Sequence, residues 1–387
     1  MEKNHVEDFK RKLEDEYSKI KQDVQKPNIL VVGGTGVGKG SLINMVFGKN
    51  IAKIGVGKPV TQEIECHEDG QIDVRLYDSR GYETESSDDD KFLQNVTSFV
   101  KAETDPLKTI HLIWYCISAA GGRVTDYDLN AIKTFLNLNL PIAVVFTETD
   151  QSTNEKIAEM KSVIDIPDIK IFETTIMPQQ YNQVQELVKW SVEKLPDSLR
   201  HSFIKSQRAN LELKKEEANK YIKQHCVVAF GVGFPPKPFS DAPLLVSNEM
   251  YLIARLLHLY DLDSISDIIS MTGVSIIIEK LASYYGKSAT YKLIELFPKV
   301  GSVAKGLIDG GVGAIMTAAI GKAVSIIASE ICLANLSGEF EQVKELVIKF
   351  APLCQEYAKM YVQSGKKEDD IINDKRLCRK ISNVTSL

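Results

Sequence analysis

Between Asn28 and Asn44 the chain reads NILVVGGTGVGKGSLIN: a short apolar run, a glycine loop, then an amphipathic start. The apolar run is brief, β-branched and ended by glycine, which predicts a buried strand. Lys39 to Phe47 predicts the first turns of a helix. Between the two, glycines at 33, 34, 36 and 38 let the backbone curl without a Cβ clash, so that successive N–H groups point inward. Curled amides at a helix N-terminus form a nest for anions. Gly33-Gly34-Thr35-Gly36-Val37-Gly38-Lys39 matches the front of G-x-x-x-x-G-K-S/T, the phosphate-binding loop, in which the lysine reaches the β and γ phosphates. The motif then asks for a hydroxyl to ligate Mg²⁺. This chain has Gly40 there, followed by Ser41. Residues 33–41 are therefore candidate nucleotide-binding residues, with one metal ligand missing.

Further boxes follow in order. A second predicted strand, Gln71 to Tyr77, runs into Asp78-Ser79-Arg80-Gly81, which fits D-x-x-G. In a nucleotide switch the aspartate holds Mg²⁺ through water and the glycine amide meets the γ-phosphate. Thr61, between the two motifs, is the candidate switch threonine and a second Mg²⁺ ligand beside Asp78. Pro141 to Phe146 predicts another buried strand, running into Thr147-Glu148-Thr149-Asp150, where guanine readers carry N/T-K-x-D. An aspartate there accepts hydrogen bonds from guanine N1–H and the 2-amino group, a donor pair adenine lacks. Asp150 is present, but Glu148 replaces the lysine whose stem covers the base. Lys170 to Glu173 predicts the last strand. Thr174 and Thr175 after it fall where a backbone amide meets guanine O6.

GGTGVGKGSLIN (33–44), KPVT (58–61), DSRG (78–81), WYCISAAGGRVTDYDL (114–129) and VVFTETD (144–150), in this order, resemble the translation-factor class of P-loop GTPases, most closely its Era- and septin-like branch. The likeness covers residues 25–195. It implies a Ras-like α/β G domain with nucleotide at the C-terminal ends of the strands, Mg²⁺ as cofactor, GTP and GDP as ligands, and Lys39, Thr61 and Gly81 in catalytic roles. Many small GTPases carry a water-orienting glutamine after the D-x-x-G glycine. Here Tyr82 follows, so a second G domain in a homodimer is an expected source of catalytic help.

The sequence divides into an N-terminal amphipathic helix (1–25), the G domain (26–196) and a helical domain (197–387). Within the last, Leu199 to Gln224 reads as one long connecting helix, Pro235, Pro236 and Pro238 break helix within 234–243, and 301–334 is rich in glycine and alanine. FPPKPFSDAPLLV (234–246) and the Gly/Ala stretch resemble a small helical domain of unknown chemistry found after G domains in bacterial GTPases. The layout is also similar to that of the immunity-related GTPases. The stretch 301–334 approaches the apolar length of a membrane span, so it is expected either to form helical core or to touch a membrane reversibly.

A net charge of −5 argues against nonspecific nucleic-acid binding. Six cysteines without a C-x-x-C pair, and no signal peptide, suggest reduced thiols in the cytoplasm. Two readings stay open: a working GTPase switch that hydrolyses GTP and alters the helical domain's interactions, or a nucleotide-binding scaffold with little turnover. The full set of boxes favours the first, and Gly40 with Glu148 favours the second.

Overall fold

In the computed structural model the described residues are 2–22, 24–48, 51, 58–59, 64–67, 72–79, 89–105, 108–177, 181–232, 242–262, 277, 311–364 and 366–374. The chain forms two compact units: Val24–Leu211, and Met1–Asp23 together with Glu212–Leu387.

The first unit is built on a seven-stranded sheet in the order β2-β3-β4-β1-β5-β6-β7. Its strands are β1 (Asn28–Gly33), β2 (Lys58–Pro59), β3 (Ile64–His67), β4 (Arg75–Ser79), β5 (Leu112–Ser118), β6 (Ile142–Thr147) and β7 (Lys170–Glu173). Five run parallel, and β2 and β3 add an antiparallel edge. This is the α/β G-domain sheet the boxes predict. The expected hairpin pairs Ile64 with Ser79 and His67 with Leu76, while its predicted turn at Asp69-Gly70 lies outside the described residues. Strands β1 and β6 are buried at every residue, as continuous apolar strands covered on both faces must be.

Helices α2 (Lys39–Phe47), α3 (Asp89–Ala102), α4 (Asp126–Leu136), α5 (Asn154–Val163), α6 (Val184–Lys194) and α7 (Asp197–Ser206) belong to this unit. Helix α4 starts on a capping box, in which Thr125 Oγ1 accepts from the Asp128 amide and the Asp128 carboxylate accepts from the Thr125 amide. Phe47, Trp114 and Phe203 meet with ring centroids 5.8–6.4 Å apart, and Trp114 Nε1 donates to Ser191 Oγ at 3.1 Å. Aromatic burial of this kind contributes about 1.5–3 kcal/mol per side chain, and it binds α7 to the G-domain core.

The expected boundary at residue 196 therefore moves to Leu211, and the single connecting helix is in fact two. Helix α7 ends at Ser206 and α8 (Leu211–Val232) begins after a four-residue break. Gln207, fully buried, makes the break: its Nε2 donates to the carbonyls of Ile204 and Asn210, and its Oε1 accepts from the Asn210 amide. A side chain that satisfies those groups competes with the helical ladder.

The second unit comprises α1 (Glu2–Gln22), α8, α9 (Ala242–Leu259), α10 (Gly311–Ser337), α11 (Phe340–Ile348), α12 (Phe350–Gln363) and α13 (Glu368–Ile372). The apolar stripe of α1 packs here: Leu13 is fully buried and the Tyr17 ring lies edge-on to His258, 5.9 Å between centroids. Gly313–Ser337 is long and apolar enough to cross a membrane, yet 83% of its apolar window is buried inside the unit. A Cβ at Gly321 would come within 2.7 Å of Ile222 and 3.0 Å of Leu252, so the small residue serves close helix contact within a protein core. Buried Lys322 donates to the Ile372 carbonyl at 2.8 Å. The stretches 234–241 and 301–310 lie outside the described residues.

Candidate nucleotide site

The phosphate loop leaves β1 at Gly33 and enters α2 at Lys39. Gly33 has φ +156° and a Cβ there would lie 2.4 Å from the Cys116 carbonyl oxygen, so neighbouring strand β5 leaves room for glycine alone. Gly38 has φ +86°, and a Cβ there would meet Thr147 at 3.3 Å. The loop thus passes against β5 and against the end of β6. Lys39 is buried, and its ammonium donates to the carbonyls of Gly33 at 3.1 Å and Gly34 at 3.0 Å. Burial lowers its pKa, while the nearby Asp78 carboxylate opposes that shift. On the neighbouring strand, burial pushes the thiol of Cys116, which pairs with Gly33, up to about 12, so the thiol stays neutral.

A cleft of 420 Å³ opens over the loop, lined by Gly36, Val37, Gly38, Lys39, Gly40, Ser41, Asp78, Ser79 and Glu148. The structure therefore brings the loop and the end of β4 together, as the motifs require. Among the described residues no cluster of His, Cys, Asp and Glu forms a protein-only metal cage. The fit of Mg²⁺ rests on Asp78: a hard oxygen donor beside the phosphate loop suits a hard cation that completes its shell with water and phosphate oxygens. Gly40 offers no side-chain oxygen. Thr61 and Gly81 lie outside the described residues.

The loop after β6, where the motif expects base recognition, is fastened from both ends. Thr147 Oγ1 donates to the carbonyl of Val37 and, at 3.3 Å, to that of Ile117. Asp150 sits in a short 3₁₀ turn, Thr149–Gln151, and its Oδ1 accepts from Thr175 Oγ1 at 2.5 Å. Thr175 Oγ1 also accepts from the Met177 amide at 3.0 Å, and the Thr175 carbonyl accepts from Asn182 Nδ2 at 2.6 Å. Between the anchors, Glu148 adopts a left-handed backbone (φ 54°, ψ 36°), and its Oε2 accepts from Ser118 Oγ at 2.5 Å.

Thr174 differs from expectation. Its amide donates to the Phe146 carbonyl at 2.7 Å, its hydroxyl donates to the same oxygen at 3.1 Å, and its side chain is buried. Both donors are used inside the fold, so Thr174 offers none to a base.

Residues 28–148 match the sequence model of a family described as the 50S ribosome-binding GTPase. These residues are a P-loop GTPase domain. The chain is 29% identical over 138 residues to a probable GTP-binding protein EngB of Aquifex aeolicus, spanning 34% of this chain and 72% of that protein. It is 30% identical over 135 residues to GTPase Der of Citrifermentans bemidjiense, spanning 34% of this chain but only 29% of the relative. Among solved structures, a probable GTP-binding protein EngB aligns with a TM-score of 0.33 at 18% identity, over 43% of this chain and 97% of that one. Era in complex with MgGDPNP and nucleotides of 16S ribosomal RNA aligns with a TM-score of 0.32 at 19% identity, over 45% and 58%. The GTPase domain is thus a GTP-binding one of the EngB and Der type.

Three contacts around this cleft escape motif reading. Ser118 orients Glu148, Thr175 orients Asp150, and the Val37 carbonyl receives Thr147. Thr175, a hydroxyl residue just after a predicted strand, is singled out in the sequence for its backbone amide, and its hydroxyl's contact with Asp150 is what the structure adds.

Proposed function

We propose that the chain hydrolyses GTP to GDP and phosphate and uses the nucleotide state to alter the interactions of its helical unit. One observation carries this reading: the phosphate loop, its lysine and the Asp78 carboxylate line one cleft. The loop amides and Lys39 would hold the β and γ phosphates and offset their charge, which is most of what a protein contributes to phosphoryl transfer. Asp78 would hold Mg²⁺, which when bound supplies further charge neutralisation at the phosphate oxygens. Thr61 and Gly81 keep their proposed roles at the γ-phosphate. Asp150, held by Thr175, would select guanine. Pairing of two G domains belongs to the same proposal, because no glutamine follows Gly81. The cysteine pattern supports a cytoplasmic setting. The burial of α10 favours helical core over membrane contact for 313–334, the part of the Gly/Ala-rich stretch it covers.

A second reading, nucleotide binding with little turnover, is favoured by the missing oxygen at Gly40 and by a carboxylate, Glu148, in the cleft that receives phosphates. Titration of the purified chain with GTP, GDP and ATP, with and without Mg²⁺, followed by a turnover assay, separates the two. GTP-selective binding that tightens with Mg²⁺ and leads to hydrolysis supports the first. GDP-preferring, Mg²⁺-insensitive binding without turnover supports the second.

A further inference from the structure

Glu148 is the residue of the cleft that the reading above leaves without work. Its backbone is fixed by its neighbours: Thr147 is tied to the phosphate loop and Asp150 to Thr175. Holding a non-glycine residue at φ 54° costs conformational energy, and surrounding structure must supply it. Its side chain is also aimed, because Ser118 Oγ donates to Oε2. A glutamate set this way, half-buried on the wall of the same cleft as Gly36 to Ser41, presents an acceptor-only carboxylate to whatever lies between the phosphate loop and Asp150.

A guanine nucleotide spans that interval with its ribose. Phosphate oxygens carry no donor at neutral pH. The guanine N1–H and 2-amino donors belong to Asp150. The donors left on the ligand are the ribose hydroxyls. We propose that Glu148 reads the ribose: its carboxylate accepts a hydrogen bond from a ribose hydroxyl, with Ser118 as the positioning residue. The lysine expected at this position covers the base and cannot accept. The substitution at 148 therefore exchanges base cover for sugar recognition, and the same carboxylate holds negative charge where a lysine would add positive. This inference rests on the proposed guanine-nucleotide site.

The test compares GDP with 2′,3′-dideoxy-GDP by calorimetry on the full chain, in the native protein and in Glu148→Ala, Glu148→Gln and Ser118→Ala. A hydrogen bond to a charged acceptor predicts that native protein prefers GDP by about 10-fold or more. Glu148→Ala brings that ratio close to one, Glu148→Gln retains part of it through its amide oxygen, and Ser118→Ala falls between. Relief of charge repulsion alone would raise affinity for both ligands equally and leave the ratio unchanged, which overturns the proposal. Equal binding of the two ligands by native protein overturns it as well, without need of any variant. Failure of native protein to bind GDP at all removes the nucleotide site itself, an outcome distinct from GDP binding without sugar discrimination.

Discussion

The hydroxyl of Thr147 donates to the carbonyl of Val37, joining the loop after β6 to the phosphate loop across 110 residues of sequence. On the proposed guanine-nucleotide site, base and phosphate recognition would share this mechanical link. Thr147→Val keeps the shape and removes the donor, leaving the Val37 carbonyl short of a partner. A lost buried hydrogen bond costs about 1–3 kcal/mol. The expected outcome is a roughly 5- to 100-fold weaker affinity for GDP, read by calorimetry, with Mg²⁺ absent so that the metal takes no part.

Gly40→Ser restores an oxygen at the head of α2. Changes in a metal's immediate surroundings move activity by about 10- to 100-fold. Steady-state phosphate release should rise by about tenfold or more, with a lower Mg²⁺ concentration for half-maximal rate. An unchanged rate would assign the chain to the scaffold reading.

Gly33→Ala tests how closely β5 crowds the loop. A Cβ 2.4 Å from the Cys116 carbonyl has to displace backbone. Strain of this type, added to displaced sheet hydrogen bonds, predicts a loss of about 2–4 kcal/mol in urea unfolding of the G-domain unit.

Lys205 and Asp73 form an ion pair at 2.5 Å with both side chains largely buried. Ser206 Oγ adds a hydrogen bond from the Asp73 amide at 2.8 Å. Removing only one partner strands a charge, so Lys205→Met should cost about 3–5 kcal/mol, while Lys205→Met with Asp73→Leu should recover most of it. Unfolding midpoints of the three proteins decide the matter.

In the helical unit, burial raises the Glu249 carboxyl to about 8. The folded state then holds a proton that the unfolded chain releases above its ordinary carboxylate range. Stability from this group is fully present below pH 4.5 and is lost as pH rises through about 8. Denaturant unfolding at pH 5 and pH 8 should show the decline, and Glu249→Gln should flatten it.

The nucleotide half was legible in the sequence because its chemistry is local. One strand, one loop and one helix start hold the phosphate motif, and Asp78 and Asp150 each follow a strand end. The links between those pieces were not legible. Thr147 with Val37, Ser118 with Glu148 and Thr175 with Asp150 are contacts between neighbouring strand ends, which only the sheet order brings side by side. Of the two threonines that follow β7, Thr174 has its donors taken by the Phe146 carbonyl, which its position in the sequence does not reveal. The break at Gln207 was hidden because the side chain replaces the ladder bonds with its own, a choice settled by burial and not by helix propensity.

Helix α1 lies with residues 212–387, not with the G domain that follows it. During synthesis on a ribosome α1 is made before its partner α9, against which Tyr17 packs through His258, because the whole GTPase domain lies between them. The domain in between can fold as it is completed. The apolar stripe of α1 waits uncovered until α9 is made, and a nascent chain stalled inside the GTPase domain would display that stripe to chaperones.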